Sequence, residues 1–247
     1  GNDSDGGGEV TAVEFDMSAA GLAKFNAGIT LSNGGNLIYT DNDLQIISGS
    51  QDHGLFLAGG NNSNDGANIS LGGPSRSTLA NVTRFRQDTV ESMRIDATGA
   101  VTMPLQPAFS VNKGGTNQDN LAIGSDVTIT FNTERFDVNA DFDLTNNRFV
   151  APVTGKYMLS LSIRFNNVDS AAAYVLPMII TSNQVYRFIF DPDFGQDAAY
   201  WNVAFSVLAD MDASDTAHVS YNQGGGTQQI DVSGDDNYTY FTGYLVA

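Results

Sequence analysis

One stretch of the sequence alternates strictly between apolar residues and mostly polar ones. From position 157 every second side chain is apolar: Tyr157, Leu159, Leu161, Ile163 and Phe165. A period of two is typical of a β-strand that has one buried face and one more hydrated face. Pro152 and Gly155 come just before the stretch and predict a turn there. We therefore expect a long strand whose five alternating side chains lie in the core of a β protein.

The composition also favours an all-β chain of short strands. Gly accounts for 26 of the 247 residues and charged residues for only 16%, so turn formers outnumber good helix formers. In the strand predicted at 200–207, Trp201 shares a face with Val203 and Phe205, and we expect it in the core. The spacing of about ten residues between strand signals is typical of a sandwich or jelly roll. These strands are predicted near 127–131, 175–180, 184–190, 200–207, 217–221 and 238–246.

The formal charge of −17, from 28 acidic and 11 basic residues, excludes some classes of partner. Binding to nucleic acid through phosphates requires clustered Lys and Arg, so we expect no nucleic-acid partner. Anionic membrane surfaces would repel the chain, and no apolar stretch reaches the roughly 18 residues of a membrane span, so no membrane insertion is expected. The chain has no cysteine, which excludes disulfides and thiolate metal sites.

Residues 10–106 contain short apolar segments between Gly-, Asn- and Asp-rich breaks. The segments at 44–46, 55–57, 69–71, 93–95 and 101–103 predict strands of three or four residues. Strands that short cannot bury a core within one chain, so other copies are expected to supply apolar surface. Residues 1–9 are interpreted as a disordered lead or a cut through a longer protein. Pro104 and Pro107 predict a boundary before a second domain at 107–247, because neither can donate a ladder hydrogen bond.

The second domain carries a set of spaced positions that identifies a family. These positions are Phe136, Asp137, Phe142, Asp143, Asn147, Phe149, Ala151, Pro152, Gly155 and Tyr157. The final segment, 238–245, adds an aromatic-Phe-x-Gly-x-Leu pattern, and an aspartate precedes the strand at 217–221. Together these resemble the C1q/tumour-necrosis-factor jelly roll, although Ala217 stands where that family usually has a β-branched residue. The resemblance implies a jelly-roll sandwich over about 107–247 that assembles as a homotrimer.

An internal repeat indicates what precedes this domain. Residues 15–25 align without gaps on residues 93–103, with Gly21 matching Gly99, and each copy predicts two small strands joined by a turn. The repeat and residues 93–109 resemble the stalk units of bacteriophage tail fibres and their junction with a C1q-like tip. The resemblance implies a trimeric stalk of short intertwined strands at 10–106. The alternative is an irregular β-rich leader domain.

Two acidic loops are the predicted ligand-binding sites. Carboxylates and amides bond sugar hydroxyls or Ca²⁺, and an exposed aromatic among polar groups favours a contact role over packing. The alternative for the aromatic, Phe194, is that it folds back over the sandwich edge. The sequence leaves open which loops lie at the far end of the domain. The predicted site residues are Asp191, Asp193, Phe194, Gln196 and Asp197 in the first loop, and Asp235, Asp236 and Asn237 in the second.

Other chemistry is weakly represented. Asp210, Asp212 and Asp215 form an oxygen-rich loop that suits Ca²⁺, although the spacing differs from that of an EF-hand and solvated turn aspartates are the alternative. The two histidines, His53 and His218, fall in different predicted domains, and no nucleophile elbow is present. We therefore expect no enzymatic activity and no required cofactor, with Ca²⁺ as an optional ligand.

The function predicted from these features is attachment. The chain is interpreted as a bacteriophage tail-fibre tip, or a related virion receptor-binding protein, joined to an upstream fibre segment. As a homotrimer it would bind a glycan or an outer-membrane protein on the host cell surface. One alternative is a secreted C1q-domain lectin or adhesin, in which the sequons beginning at Asn2, Asn61, Asn68, Asn81 and Asn237 would carry glycans. A weaker alternative is a polysaccharide depolymerase that uses paired carboxylates.

Overall fold

The computed structural model describes residues 51–60, 62 and 64–247. Within these residues the chain is built from β-strands, with one 3-10 turn at Val138–Ala140. The described part contains no helix that is long and apolar enough to cross a membrane. The predicted lead at 1–9, the first repeat copy at 15–25 and the predicted strand at 44–46 lie outside the described residues.

The first sheet is a five-stranded antiparallel meander in which each strand pairs with the next along the chain. The strands that contain the predicted segments 55–57, 69–71 and 93–95 have five or six residues, so the prediction of three or four residues is wrong for them. The residues that flank each apolar segment also pair with the neighbouring strand, which makes the strands longer than the segments. The strands are β1 (Gly54–Ala58), β2 (Ala67–Gly72), β3 (Thr83–Gln87), β4 (Val90–Ile95) and β5 (Val101–Thr102).

The hairpin predicted at 93–103 is present as β4 and β5. Its turn contains Gly99 at φ +88°, a conformation that glycine adopts without strain. The Asp96 carboxylate accepts hydrogen bonds from the backbone N–H groups of Thr98 (2.8 Å) and Ala100 (3.0 Å), which closes the turn. The hydroxyl of Thr98, which also donates to Asp96 at 2.7 Å, and these backbone bonds lower the pKa of Asp96.

A jelly-roll sandwich of two facing sheets follows. Its strands are β6 (Ala108–Asn112), β7 (Val127–Thr128), β8 (Thr133–Asp137), β9 (Phe142–Asp143), β10 (Arg148–Val150), β11 (Gly155–Val168), β12 (Tyr174–Thr181), β13 (Val185–Arg187), β14 (Ala198–Met211), β15 (Thr216–Gly224), β16 (Asp231–Val232) and β17 (Tyr240–Leu245). One sheet of the sandwich has the order β13-β12-β15-β10-β9, with β7 added to β15. The other, which we call the second sheet, has the order β14-β11-β17-β6-β8, with β16 added to β11.

The alternation of β11 builds the centre of the core, as predicted. The five apolar side chains from Tyr157 to Phe165 are each at most 2% exposed and point to the facing sheet. Aromatic rings join the two sheets: Phe109 of β6 stacks on Phe149 of β10 at 4.7 Å, and Phe165 lies 5.4 Å from Tyr221 of β15. These rings pack together with the aliphatic residues of the core between the layers.

Two predicted segments differ from the observed strands. The strand predicted at 127–131 is regular only at its first two residues, although the Ile129 N–H still donates to the carbonyl of Val219 at 3.0 Å and both Ile129 and Phe131 are buried. The Phe131 N–H donates to the side-chain oxygen of Asn147 at 2.7 Å, so a side chain replaces the ladder there. The stretch between the strands predicted at 217–221 and 238–246 contains a further short strand, β16, which pairs with the end of β11.

The segment between the first sheet and the sandwich contains both prolines that predict a boundary. β5 ends at Thr102, β6 begins at Ala108, and Pro104 and Pro107 lie between them. Among the described residues no strand of the first sheet pairs with a strand of the sandwich. Both belong to one compact unit, Ser48–Ala247, so the predicted division into domains at 106/107 stays a prediction.

Candidate functional site

The two ends of the sandwich carry different loops. The first residue of β6, Ala108, pairs with Tyr244, and its last residue, Asn112, pairs with Tyr240. We call the end where β6 begins the proximal end and the opposite end the distal end. β11 begins beside the end of β17 and runs to the distal end, where β14 starts. The loops 191–197 and 233–237 are therefore distal, and the loop 212–215 is proximal.

The first distal loop holds an aromatic pair, Phe194 and Trp201. Their ring centroids are 4.7 Å apart with an angle of 32° between the planes, and Phe190 lies 5.9 Å from Trp201. Phe194 is 38% exposed and Trp201 is 40% exposed. Phe194 thus both packs on the sandwich edge and presents part of its ring to solvent.

The prediction that Trp201 lies in the core is wrong. Trp201 does share a face with Val203, which is buried, but it lies near the distal start of β14. β14 is the last strand of its sheet in the described chain, so little structure covers its inward face at that end. The side chain therefore remains accessible beside Phe194.

Polar groups surround the aromatic pair. Asp197 accepts hydrogen bonds from the N–H (2.9 Å) and the hydroxyl (2.8 Å) of Ser170, which ties the loop to the β11–β12 connection. Asp191 accepts the N–H of Asp193 at 3.1 Å. Asp193 and Gln196 are exposed. The five predicted residues of this loop thus lie at the distal end, and Phe194 is the one among them that contacts Trp201.

The second distal loop uses its polar groups internally. The Asp235 carboxylate accepts the backbone and side-chain N–H groups of Asn237, both at 3.0 Å, and lies 3.7 Å from the Arg164 guanidinium. Asp236 accepts the N–H of Gly115 at 3.2 Å. These bonds give Asp235, Asp236 and Asn237 a role in shaping the turn. Their predicted role in ligand binding stays a prediction.

An arginine that the sequence reasoning missed links this loop to the second sheet. Arg164 of β11 lies between two tyrosine rings, 4.5 Å from Tyr238 and 5.3 Å from Tyr200. Its Nη2 donates to the hydroxyl of Ser233. Tyr200 is 68% exposed. The only sequence signal was a charged residue at a polar position of an alternating strand, which does not identify partners that are distant along the chain.

A second missed residue, Asp169, fixes the distal loops to each other. Its buried carboxylate accepts the N–H groups of Ala171, Thr227 and Gln228. Burial alone would raise the pKa of Asp169, but the three hydrogen bonds outweigh it and hold the pKa below its usual value. Asp169 therefore stays charged and joins the loop after β11 to the loop after β15.

The three aspartates predicted for Ca²⁺ lie at or beside the proximal loop. Asp210 forms an ion pair with Lys156, and Asp215 accepts hydrogen bonds from the side chain of Asn183 (2.6 Å) and the N–H of Asp212 (2.9 Å). In the part of the chain that the structure describes, no group of three or more acidic or histidine side chains is placed to hold a metal ion. The Ca²⁺ site stays a prediction that this geometry does not support.

The two histidines lie in different parts of the described chain. His53 precedes β1, and His218 lies in β15, where burial and the charge of Arg148 lower its pKa. A lowered pKa keeps His218 neutral at pH 7. Neither histidine contributes to the distal end.

Comparison with known proteins identifies the sandwich. Residues 108–246 match the family model of the C1q domain. Similar solved structures include the globular domain of zebrafish complement 1qA (17% identity, 57% of this chain, 98% of that chain, TM-score 0.42) and murine APRIL at pH 8.5 (10%, 57%, 99%, 0.42). Comparison with curated proteins gave no match. Because the family model covers more than half of the sequence, this chain belongs to the C1q domain family.

Proposed function

We propose that this chain is the receptor-binding tip of a virion fibre, similar to a bacteriophage tail fibre, that attaches to a glycan or an outer-membrane protein of a host cell. C1q/TNF-like domains are generally non-enzymatic binding domains, and C1q-domain proteins are typically extracellular. A binding role for the sandwich therefore rests on its family. The fibre context rests on the resemblance of residues 93–109 to a fibre junction.

The accessible aromatic pair at the distal end is the main evidence for a binding site there. Phe194 and Trp201 offer two adjacent ring faces, and Asp193 and Gln196 beside them offer oxygen and amide groups. Such a surface suits a sugar ring. The apolar C–H groups of the sugar can pack on the aromatic faces, and its hydroxyls can bond to the polar groups at the border. The distal position turns this surface away from the point where the chain enters the sandwich.

We further propose that the sandwich acts as a homotrimer, a state that C1q/TNF-like domains commonly form. The outer face of the second sheet offers a surface for it. An apolar row crosses this face near the proximal end: Leu208 pairs with Met158, and Met158 pairs with Tyr244. Leu208 is 53% exposed and Tyr244 50% exposed. Small polar residues, Ser160 and Ser206, follow in the next row and permit close approach.

A second exposed surface lies along the sandwich edge between β13 and β14. Phe188 is 38% exposed and Ile189 63% exposed, and both are close to the aromatic pair in the chain. Contact between the sheet face of one copy and the edge of the next joins two different surfaces, and repeated contacts of this kind close into a ring of three when successive copies are rotated by about 120°. Three weak distal contacts on one rigid ring then combine into strong attachment.

The test compares distal and proximal substitutions in the purified chain. Phe194→Ala and Asp193→Ala are assayed against an array of neutral and acidic glycans and against a panel of bacterial cells. We expect Phe194→Ala to weaken binding at least tenfold, equivalent to about 1.4 kcal/mol. Val153→Ala and Asp210→Ala, at exposed proximal positions, are the matched controls.

Thermal melting of every variant separates lost contacts from lost folding. Undiminished binding by both distal variants would refute the distal site. Loss of binding on changing the loop at 61–65 instead would transfer the receptor site to the first sheet.

A secreted lectin or adhesin remains the second candidate, because secretion is typical of C1q-domain proteins. Glycosylation of the sequons distinguishes a secreted lectin or adhesin from a virion fibre tip. Asn68 is 3% exposed, and its side-chain amide donates to the carbonyls of Gly66 and Asp88, so this sequon is closed to a glycan. Asn81 and Asn237 are exposed, whereas Asn2 and Asn61 lie outside the described residues. Mass spectrometry of the native protein showing glycans at Asn81 and Asn237 would favour the secreted protein.

A further inference from the structure

The first sheet, β1–β5, is amphipathic and has a continuous apolar face. One row of side chains crosses it through four strands: Leu57 pairs with Ile69, Ile69 with Phe85, and Phe85 with Met93. Cross-strand neighbours in register project from the same face of a sheet. This row therefore runs nearly the full width of the sheet.

A second apolar row lies beside the first. Leu55 pairs with Leu71, Leu71 with Thr83, Thr83 with Ile95, and Ile95 with Val101. Because these residues are two positions away from those of the first row, they share its face. Eight apolar side chains and one threonine thus form one surface, which we call the apolar face.

The opposite face is polar and internally bonded. Arg94 makes a bidentate contact with Glu91, with two bonds of 2.8 Å, and Arg86 donates to the side-chain oxygen of Asn68 at 2.8 Å. The Arg84 Nε donates to the hydroxyl of Ser70 at 3.3 Å. Such a face is stable in water, so only the apolar face requires another layer.

The apolar face lacks that layer within the described residues. Among the described residues of the stretch 51–106, Val82 is the one apolar residue that is buried, and it lies outside both rows. Leu57 is 50% exposed, Leu71 40% and Val101 53%. A groove of about 470 Å³ opens beside Leu57, Ile69 and Phe85, which gives this surface room for a side chain of another molecule.

The area of the apolar face indicates whether an independent protein or further copies of this chain cover it. Five strands 4.8 Å apart and five residues long cover about 19 Å by 17 Å, or roughly 300 Å² in projection. A stable interface between independent proteins needs about 800 Å² on each partner. A separate partner held by this face alone would form an interface of the size of weak and transient contacts. Copies that are already joined by the sandwich would meet at an effective concentration on the order of millimolar, at which a small face is sufficient.

We propose that the apolar faces of three copies pack against one another around a common axis, so that the three first sheets form a prism with their arginine faces outward. The proposal rests on the homotrimer of the proposed function and extends it to a second interface. The strands of each sheet stay hydrogen-bonded within one chain, which replaces the expected intertwining of strands with packing of sheet faces.

The absence of cysteine in the chain permits a direct test. Thr83→Cys places a thiol in the centre of the apolar face, and Thr102→Cys makes the same change on the polar face of β5. Each full-length variant is treated with a bismaleimide whose arm spans about 10 Å, the separation of packed sheets. Denaturing gels score covalent dimers, and light scattering records the mass before reaction. Val101→Cys repeats the apolar-face measurement at an exposed position, should Thr83→Cys disturb folding.

We expect a trimeric mass for all variants, with covalent dimers from Thr83→Cys and Val101→Cys at least tenfold more abundant than from Thr102→Cys. A trimeric mass without this preference would overturn the prism and leave the trimer intact, as would occur if residues 1–50 of the same chain covered the apolar face. A monomeric mass would refute the trimer of the proposed function and the prism with it.

Discussion

Asp169 shows how one side chain can organise a binding end. Its carboxylate reaches backbone N–H groups that lie 58 and 59 residues further along the chain, as well as one in its own loop. An asparagine has the same shape, but it has no charge and would direct an amide group at one of these donors. The distal loops therefore depend on a charged group that touches no ligand.

Asp169→Asn is expected to destabilise the sandwich by about 2 kcal/mol at pH 7, since bonds to a charged acceptor are lost. The folded-state pKa is lowered, so the stabilisation is complete above the unfolded-state pKa of about 3.9 and is lost as the pH falls through the folded-state value. The difference between wild type and variant should therefore shrink below about pH 4. Chemical denaturation at pH 7 and pH 3 measures it, with Asp193→Asn, an exposed carboxylate, as the control. An equal difference at both pH values would exclude the charge as the cause.

Lys113 is a fully buried cation at the end of β6. Its amine donates to the carbonyl of Thr130 (2.7 Å) and the side-chain oxygen of Gln118 (3.3 Å), and burial lowers its pKa to about 8 although Asp119 opposes the shift. The unfolded chain keeps this proton up to about pH 10.4. Between these two values the unfolded state binds more protons, so raising the pH stabilises the fold.

We expect the free energy of unfolding to rise by about 2 kcal/mol between pH 8 and pH 10 through this group. Lys113→Met should abolish the rise, whatever its effect at pH 7. Urea titrations at pH 8, 9 and 10 provide the measurement. The range stops at pH 10 because the buried hydroxyl of Tyr221, whose pKa is raised, begins to destabilise the fold above it. The same rise in wild type and variant would assign it to another group.

At the scale of the element, the alternation of β11 separates two interfaces. Leu161 is 2% exposed and faces the core, whereas the hydroxyl of Ser160 lies 2.7 Å from that of Ser206 on the outer face. Leu161→Asp should destabilise the sandwich by several kcal/mol, because it buries a charge without a partner. Ser160→Asp should change the melting temperature of the isolated fold far less and instead weaken assembly through the outer face.

Melting and light scattering on the same samples distinguish these effects. Equal loss of stability in both variants, with assembly unchanged, would mean that the outer face is as buried within one copy as the core face.

The strands that the sequence predicted best are those whose signal is local. The alternation of β11 and the closing strand β17 follow from periodicity and from a motif with a steric cause: a Cβ on Gly243 would lie 2.6 Å from the ring of Phe109. Trp201 was misplaced because periodicity gives the face of a residue but not what covers the end of its strand. Arg164 and Asp169 escaped notice because their partners are distant in sequence, and no local pattern encodes such contacts.

At the scale of the whole molecule, the negative charge of each copy opposes assembly, whereas the exposed apolar surfaces favour it. Each copy carries a formal charge of −17, so assembly brings like charges together. At physiological salt the Debye length is about 8 Å, which screens most of this repulsion between exposed groups. The surfaces proposed for contact are the outer face of the second sheet, the sandwich edge and the apolar face of β1–β5, all of which are mainly uncharged at their centres. Assembly through them should therefore become stronger, not weaker, as salt is added.

Leu208→Asp tests whether assembly multiplies binding. Leu208 is 53% exposed in one copy, so the change should leave the fold of that copy intact, but it places a charge in the apolar row of the outer face. We expect light scattering to report 26.3 kDa in place of three times that mass. Attachment to a surface bearing many receptors should then fall by about 10²- to 10⁴-fold, because single contacts lose their linkage.

Val153→Asp, a similar change at a proximal loop that is 45% exposed, is the matched control and should remain assembled. A Leu208→Asp variant that stays trimeric would exclude the outer face as the contact surface, whereas a monomer that attaches as strongly as wild type would show that one distal site is sufficient.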